Sequence, residues 1–176
     1  MNDKRRLREM YAARREAAHC ISHDEAIART VLERYRAAQR FFVYISVRSE
    51  VATDRLIAAL LEAGKEVCVP RIEAGSRMLA VPYAKLVRGA YGIPAPEGGE
   101  DMPCDVALTP LLAFDDEGYR LGYGGGFYDA YFARRPETLR VGLAYCAQRA
   151  DRLPHEEWDV PLHAVVTEEG IFRPGT

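Results

Sequence analysis

Residues 41–69 constrain this chain more than any other stretch. Phe41-Phe42-Val43-Tyr44-Ile45 is an apolar, β-prone run without alternation, the pattern of a parallel strand buried on both faces. Thr53 then stands as the cap of a helix from Asp54 to Ala63, which Gly64 closes. Val67-Cys68-Val69 follows as a second buried strand. Strand, helix and strand make a β-α-β unit, the core of an open α/β sheet.

The flanks extend that sheet. Met78 to Tyr83, Asp105 to Leu108, Leu139 to Ala144 and Ala164 to Thr167 read as further strands. A helix is expected over 3–19, with Leu7, Met10 and Tyr11 on its apolar face. Ser22-x-x-Glu25 has the form of a capping box opening a second helix through about residue 38. Residues 88–104, rich in Gly and Pro, read as a loop because neither flank forms a core of its own. Leu111 to Phe114 and Tyr119 to Leu121 flank the turn tetrad Asp115-Asp116-Glu117-Gly118. The expectation is one α/β domain over 1–176: an open, mainly parallel sheet with helices on both faces, a three-layer Rossmann-like arrangement.

The strongest functional signal is Arg120-Leu121-Gly122-Tyr123-Gly124-Gly125-Gly126-Phe127-Tyr128-Asp129. A glycine-rich turn feeding a helix lets a ligand approach the main chain and presents unpaired N–H groups, which suit a phosphate. Arg120 adds a positive charge, and Asp129 adds a carboxylate able to hold Mg²⁺. Two familiar phosphate motifs do not fit. A P-loop needs Lys and then Ser or Thr after its last glycine, where this chain has Phe127 and Tyr128. A dinucleotide fingerprint begun at Gly122 needs glycine where Phe127 stands.

Charge and composition narrow the partners. A net charge of −2 and a pI near 6.1 argue against charge-driven nucleic-acid binding. No apolar run is long enough for a membrane span, and the charged N-terminus lacks the apolar stretch of a signal peptide, so a cytoplasmic location is expected. The four cysteines, Cys20, Cys68, Cys104 and Cys146, are scattered and read as reduced. They make no zinc spacing with His19, His23, His155 and His163.

The glycine segment, preceded by Thr109-Pro110-Leu111-Leu112-Ala113-Phe114-Asp115 and Gly118, resembles the signature of the 5-formyltetrahydrofolate cyclo-ligase family. Lys4-x-x-Leu7-Arg8, Tyr44-x-Ser46-x-x-x-Glu50, Gly64-Lys65 to Val69-Pro70, Gly92-Ile93-Pro94 and Gln148 through Pro154 to Asp159 match in the same order. Ala95 stands where many members have Glu, and Trp158 where many have His before the Asp. The resemblance implies ATP- and Mg²⁺-dependent closure of 5-formyltetrahydrofolate to 5,10-methenyltetrahydrofolate, with ADP and phosphate released. It implies ATP contacts from Lys4, Arg8, Arg120, Leu121, Gly122, Gly124, Gly125, Gly126 and Tyr128, with Arg120 and Tyr123 catalytic. Folate contacts would come from Ile45, Glu50, Tyr91, Tyr123, Gly124, Gly125, Gly126 and Phe127, and the metal would lie on Asp129 and Asp159. The partners are then small molecules, with no nucleic acid, no membrane and a monomeric protein.

Two other classes stay open on the residues alone. A non-catalytic nucleotide-binding module would share the scaffold, since fold does not dictate function, but it has no need of Glu50 and Asp129 together. A sugar-phosphate isomerase-like enzyme would need neither ATP nor Mg²⁺, and would need a general base that the sequence does not nominate.

Overall fold

The computed structural model describes residues 3–75 and 77–175. Among these residues are four α-helices: α1 (Asp3–Ala18), α2 (Ile21–Arg34), α3 (Asp54–Glu62) and α4 (Phe127–Arg134). The strands are β1 (Arg40–Val43), β2 (Glu66–Glu73), β3 (Arg77–Pro82), β4 (Leu86–Val87), β5 (Ala95–Pro96), β6 (Val106–Thr109), β7 (Ala113–Phe114), β8 (Arg120–Leu121), β9 (Leu139–Leu143), β10 (Ala164–Thr167) and β11 (Gly170–Phe172). Seven of them form one sheet in the order β11-β10-β9-β6-β1-β2-β3. Its centre is parallel, while β3 and β11 close the two edges antiparallel. The chain runs from β1 out to β2 and later returns to β6 on the other side of β1. The strand order therefore reverses between β1 and β6, the place where open α/β sheets leave a crevice beyond the strand C-termini.

The two faces of the sheet are made of different side chains. Phe41 and Val43, Val67 and Val69, Val106 and Leu108, and Val141 and Leu143 pack under Ile27 and Val31 of α2 and Leu56, Ile57 and Leu60 of α3. The alternate residues Phe42, Cys68, Ala80 and Ala107 face Tyr131 and Phe132 of α4. That second face is mostly small because aromatic rings lie directly on it. At Gly142 a Cβ would come within 2.8 Å of both Leu111 and Leu162, so a larger residue there would have to displace both leucine side chains.

Helix α1 lies on neither face. It packs on the β7–β8 hairpin and on the turn at Cys146–Gln148, with Tyr11 buried against Leu112, Leu121 and Leu153. Its inward stripe is Lys4, Leu7, Arg8, Tyr11 and Arg15, at helical spacing, whereas Met10 is 39% exposed. The expected apolar face is thus rotated toward the cations.

Two expected caps are corrected. Helix α2 begins at Ile21, with Cys20 extended in the cap position and no side-chain cap, so Ser22 lies inside the helix and opens no capping box. The helix also ends at Arg34, short of residue 38. Thr53 does precede α3, but its hydroxyl donates to the Tyr44 carbonyl at 2.7 Å and accepts Ser46 N–H at 3.2 Å. It ties the loop after β1 together and caps no helix. Gly64, at φ 79°, closes α3 as expected.

Candidate active site

Beyond the C-terminal ends of β1 and β6 lies a cavity of about 780 Å³, and Tyr44, Ile45 and Pro110, just past those strands, line it. All the residues expected at the site line this one cavity: Lys4, Arg8, Ile45, Glu50, Tyr91, the run Arg120 to Asp129, and Asp159.

The glycine loop joins β8 to α4. Gly124 (φ 100°) and Gly126 (φ 69°) occupy the left-handed region, where a side chain would be strained. Gly126 is the residue before α4, and no side chain caps that helix end. The first residues of α4 line the cavity, and their amides, unspent on any side-chain cap, carry the partial positive charge of a helix N-terminus. Arg8 seats the loop from α1: its Nε donates to the Gly122 carbonyl at 2.9 Å, and its guanidinium would lie 3.5 Å from a Cβ at Gly124. Lys4, one turn earlier, pairs with Glu156 at 3.6 Å.

Arg120 is more committed than its sequence position suggests. One of its Nη atoms donates to the Val160 carbonyl at 2.7 Å, the other to Asp129 Oδ1 at 2.8 Å, and its guanidinium lies 5.4 Å from the Phe132 ring centre. Asp129 Oδ1 also accepts the Val160 N–H at 2.9 Å. Asp159 Oδ2 accepts the Glu156 N–H at 2.8 Å, fixing the turn that carries it. The second oxygen of each aspartate has no hydrogen-bond donor among the described residues. No group of three or more His, Cys, Asp or Glu among the described residues is arranged to hold an ion alone. Mg²⁺ needs no such cage, because it binds through one or two carboxylates together with substrate phosphates and waters. Two hard oxygen donors beside an anion-ready loop fit that pattern.

Glu50 is held quite differently. The loop after β1 folds back through the Thr53 bonds and through Tyr44 OH, which donates to the Val51 carbonyl at 2.6 Å. This turns the Glu50 side chain inward, and the residue is 5% exposed. Val47 N–H donates to its Oε2 at 2.9 Å and Tyr123 OH to its Oε1 at 2.8 Å. Burial raises the Glu50 carboxyl above its ordinary range, against these hydrogen bonds and the charges of Arg15 and Arg48. Burial and the Glu50 charge together push the Tyr123 phenol up to about 12, so it remains a proton donor at neutral pH.

Aromatic surface completes the cavity. Tyr91, with φ 57°, sets its ring 5.5 Å from Phe127 in an edge-to-face pair. Tyr128 stacks on Phe42 at 6.1 Å. The main residue missed from sequence is Arg15, whose Nη1 donates to Tyr123 OH at 2.5 Å. Arg15 continues the Lys4, Arg8, Tyr11 stripe at helical spacing, and that spacing is the signal that it faces inward. Trp158, Glu156, Arg48 and Pro154 also line the cavity. Asp115 is structural: its carboxylate accepts the N–H groups of Glu117, Tyr119 and Leu153.

Comparison with known proteins bears on this geometry. The family model of the 5-formyltetrahydrofolate cyclo-ligase family matches residues 1–168. The chain is 39% identical over 143 residues to the 5-formyltetrahydrofolate cyclo-ligase of Escherichia coli, covering 74% of this chain and 79% of that one. It is 34% identical over 143 residues to the enzyme of that name from Haemophilus influenzae, covering 74% and 76%. The solution structure of Aquifex aeolicus 5,10-methenyltetrahydrofolate synthetase superposes with a TM-score of 0.83 at 32% identity, over 98% of this chain and 93% of that one. The Mycoplasma pneumoniae protein described by that enzyme name shares the fold, with a TM-score of 0.76 at 22% identity.

Proposed function

The chain belongs to the 5-formyltetrahydrofolate cyclo-ligase family, and we propose that it closes 5-formyltetrahydrofolate to 5,10-methenyltetrahydrofolate at the expense of ATP. The observation that carries this reading is a single cavity with an anion-ready end and an acceptor end. Unspent amides of α4, the glycine loop, Lys4 and Arg8 lie at the first, and the buried Glu50 carboxylate at the second.

The chemistry asks for both ends. A formyl oxygen on nitrogen is a poor leaving group. Transfer of the γ-phosphoryl group to that oxygen makes it a good one. N10 of the folate then attacks the activated carbon and gives up its proton to solvent, the C–O bond breaks and phosphate departs, leaving the methenyl bridge. Phosphoryl transfer of this kind needs positioning and charge neutralisation more than covalent help. The α4 amides, Lys4 and Arg8 would bind the phosphates, and Arg120 would act on them from its place beside Asp129. Asp129 and Asp159 would hold Mg²⁺, which when bound neutralises phosphate charge. The folate lies toward Ile45, Tyr91, Phe127 and Glu50, whose carboxylate accepts the ring N–H donors of a pterin. Tyr123 OH, fixed against Glu50, borders the reacting end. A module that only bound nucleotide would have no use for the buried carboxylate. We place the whole site in one domain acting on small molecules; no helix among the described residues is long and apolar enough to cross a membrane.

The test is spectroscopic. Purified protein with ATP, Mg²⁺ and 5-formyltetrahydrofolate should develop methenyltetrahydrofolate absorbance, and omitting ATP should abolish it. Absence of product where the Escherichia coli relative works in the same buffer overturns the proposal.

A further inference from the structure

Arg15 is the one cation on the inner stripe of α1 that does not line the cavity. It is 3% exposed and lies behind the cavity wall, in a groove it shares with His19, Ser49 and Tyr123. Burying a guanidinium is costly unless hydrogen bonds replace the water it loses. Here Nε donates to Ser49 Oγ at 3.1 Å, and Nη1 donates to the Leu111 carbonyl at 3.2 Å and to Tyr123 OH at 2.5 Å. The guanidinium carbon also lies 5.7 Å from the Tyr123 ring centre. Tyr123 is itself 52% exposed and stands between Arg15 and the cavity.

Arginine can only donate hydrogen bonds. Its bond to the Tyr123 oxygen occupies a lone pair there, so the phenol's own proton must point elsewhere, and the acceptor in reach is Glu50 Oε1 at 2.8 Å. With Val47 N–H on Oε2, each carboxylate oxygen accepts one hydrogen bond, and Glu50 lines the cavity. From this geometry we infer that Arg15 is a positioning residue for folate: acting through the Tyr123 hydroxyl, it orients the Glu50 carboxylate to receive the pterin. The inference rests on the proposed reaction only in naming the ligand; the relay itself is a property of the free protein.

Five titratable or charged side chains act electrostatically on Glu50 from the elements around it. Arg15 on α1 and Arg48 on its own loop lower its pKa, and Tyr44 after β1, Tyr123 in the glycine loop and Tyr128 on α4 are phenols whose ionisation it opposes. Removing Arg15 therefore removes one of two cations that offset burial, and the Glu50 carboxyl moves further up. Folate binding needs the ionised form, so the acid limb of folate kcat/KM must move to higher pH.

The experiment compares wild type, Arg15→Met, Arg15→Lys, Tyr123→Phe and the Arg15→Met/Tyr123→Phe double variant. Arg15→Met and Tyr123→Phe should each raise KM for 5-formyltetrahydrofolate about tenfold, the worth of one charge-assisted hydrogen bond. KM for ATP should stay within about twofold, and the double variant should be no worse than the poorer single one, since both break one relay. Arg15→Lys, which keeps the charge without the fork, should fall between. α1 also carries Lys4 and Arg8, so an Arg15 that merely docks the helix would raise the ATP KM equally. That outcome overturns the inference, as does an acid limb that stays in place. Tyr123→Phe keeps the test open if Arg15→Met does not fold. Isotope-edited NMR of the Glu50 carboxyl, in protein without substrate, should titrate at higher pH in Arg15→Met. That measurement stands even if the wild-type protein fails to turn over folate, so the two proposals fail separately.

Discussion

Glu50 and Asp129 are carboxylates on one cavity, held in opposite ways. Glu50 is 5% exposed and bonded only by neutral donors, Val47 N–H and Tyr123 OH. The Asp129 side chain is 21% exposed and forms an ion pair with Arg120, whose own side chain is 7% exposed. The first arrangement leaves a charge that is costly in the empty protein and is relieved when a ligand brings hydrogen-bond donors. The second leaves a charge already neutralised, suited to hold its place while phosphates and a cation come and go. One end of the cavity is built to recognise, the other to tolerate changing charge.

The sharpest way to break this contrast is Glu50→Gln. Gln retains the shape but turns one acceptor into a donor that meets the Val47 N–H or the pterin. Folate kcat/KM should fall by about a hundredfold, roughly 3 kcal/mol, with ATP KM unmoved. Stability should behave in the reverse sense. The folded carboxyl binds its proton more tightly than the unfolded one, so ionised Glu50 weakens the fold once pH exceeds its folded pKa. That penalty vanishes below the unfolded value. The Tm of Glu50→Gln relative to wild type should therefore rise as pH climbs through and above the ordinary carboxylate range. A Tm difference that falls over that range would mean Glu50 is structural.

Asp129→Asn should be the next largest effect and should fail in both respects at once. Asp129 stands in the first turn of α4, where a charge that only complemented the helix dipole could be removed with little loss of stability. The pair with Arg120 makes that untenable, because Asn leaves a guanidinium nearly buried without its counter-charge. The rate at limiting Mg²⁺ should drop at least about tenfold and the fold should lose about 1–3 kcal/mol. Raised Mg²⁺ should restore part of the rate and none of the Tm. Full recovery of both with Mg²⁺ would assign Asp129 to the metal alone.

What sequence revealed of this molecule follows the same divide. The β-α-β unit, the hairpin around Asp115–Gly118 and the glycine loop were legible because each is local: periodicity, a turn tetrad or a glycine run within a few residues. The edge strand β11 was not, since three half-buried residues beginning at Gly170 carry no period. Ser22 looked like a cap, yet α1 ends at Ala18 and only His19 and Cys20 separate it from α2, so the second helix starts too early for Ser22 to cap it. Thr53 stood where expected, but its hydroxyl has better partners across the loop. Arg15 was lost for a physical reason: helical spacing marked it as inward, and a cation among many on α1 reads as solvated until its tertiary partners Ser49, Leu111 and Tyr123 are known.

Arg8→Ala tests the open end of the cavity. The Nε bond to the Gly122 carbonyl fixes the loop, and the rest of the guanidinium lies beside Gly124 at the end of the cavity proposed for the phosphates. ATP KM should rise about tenfold, with folate KM changing less, and the loss should shrink as salt rises and screens the wild-type charge. Equal loss for both substrates would mean that the loop position, rather than the cation, had been disturbed.

Lys4→Ala should have the smallest effect of the four, and the reason is its present partner. The Lys4 side chain is 37% exposed and its ammonium is already paired with Glu156 at 3.6 Å, on the turn that carries Trp158 and Asp159. Such an exposed pair is worth about 0.2–1 kcal/mol, so the Tm should move little. A phosphate must compete with Glu156 for the ammonium, and the gain on binding ATP is reduced by the cost of leaving that carboxylate. ATP KM should therefore rise only about threefold. Glu156→Gln frees the ammonium and should lower ATP KM below wild type, an effect that Lys4→Ala in the same protein should erase. If Glu156→Gln instead weakens ATP binding, Glu156 belongs with Asp159 among the groups that serve the cation, and the Lys4 pair is its anchor rather than its competitor.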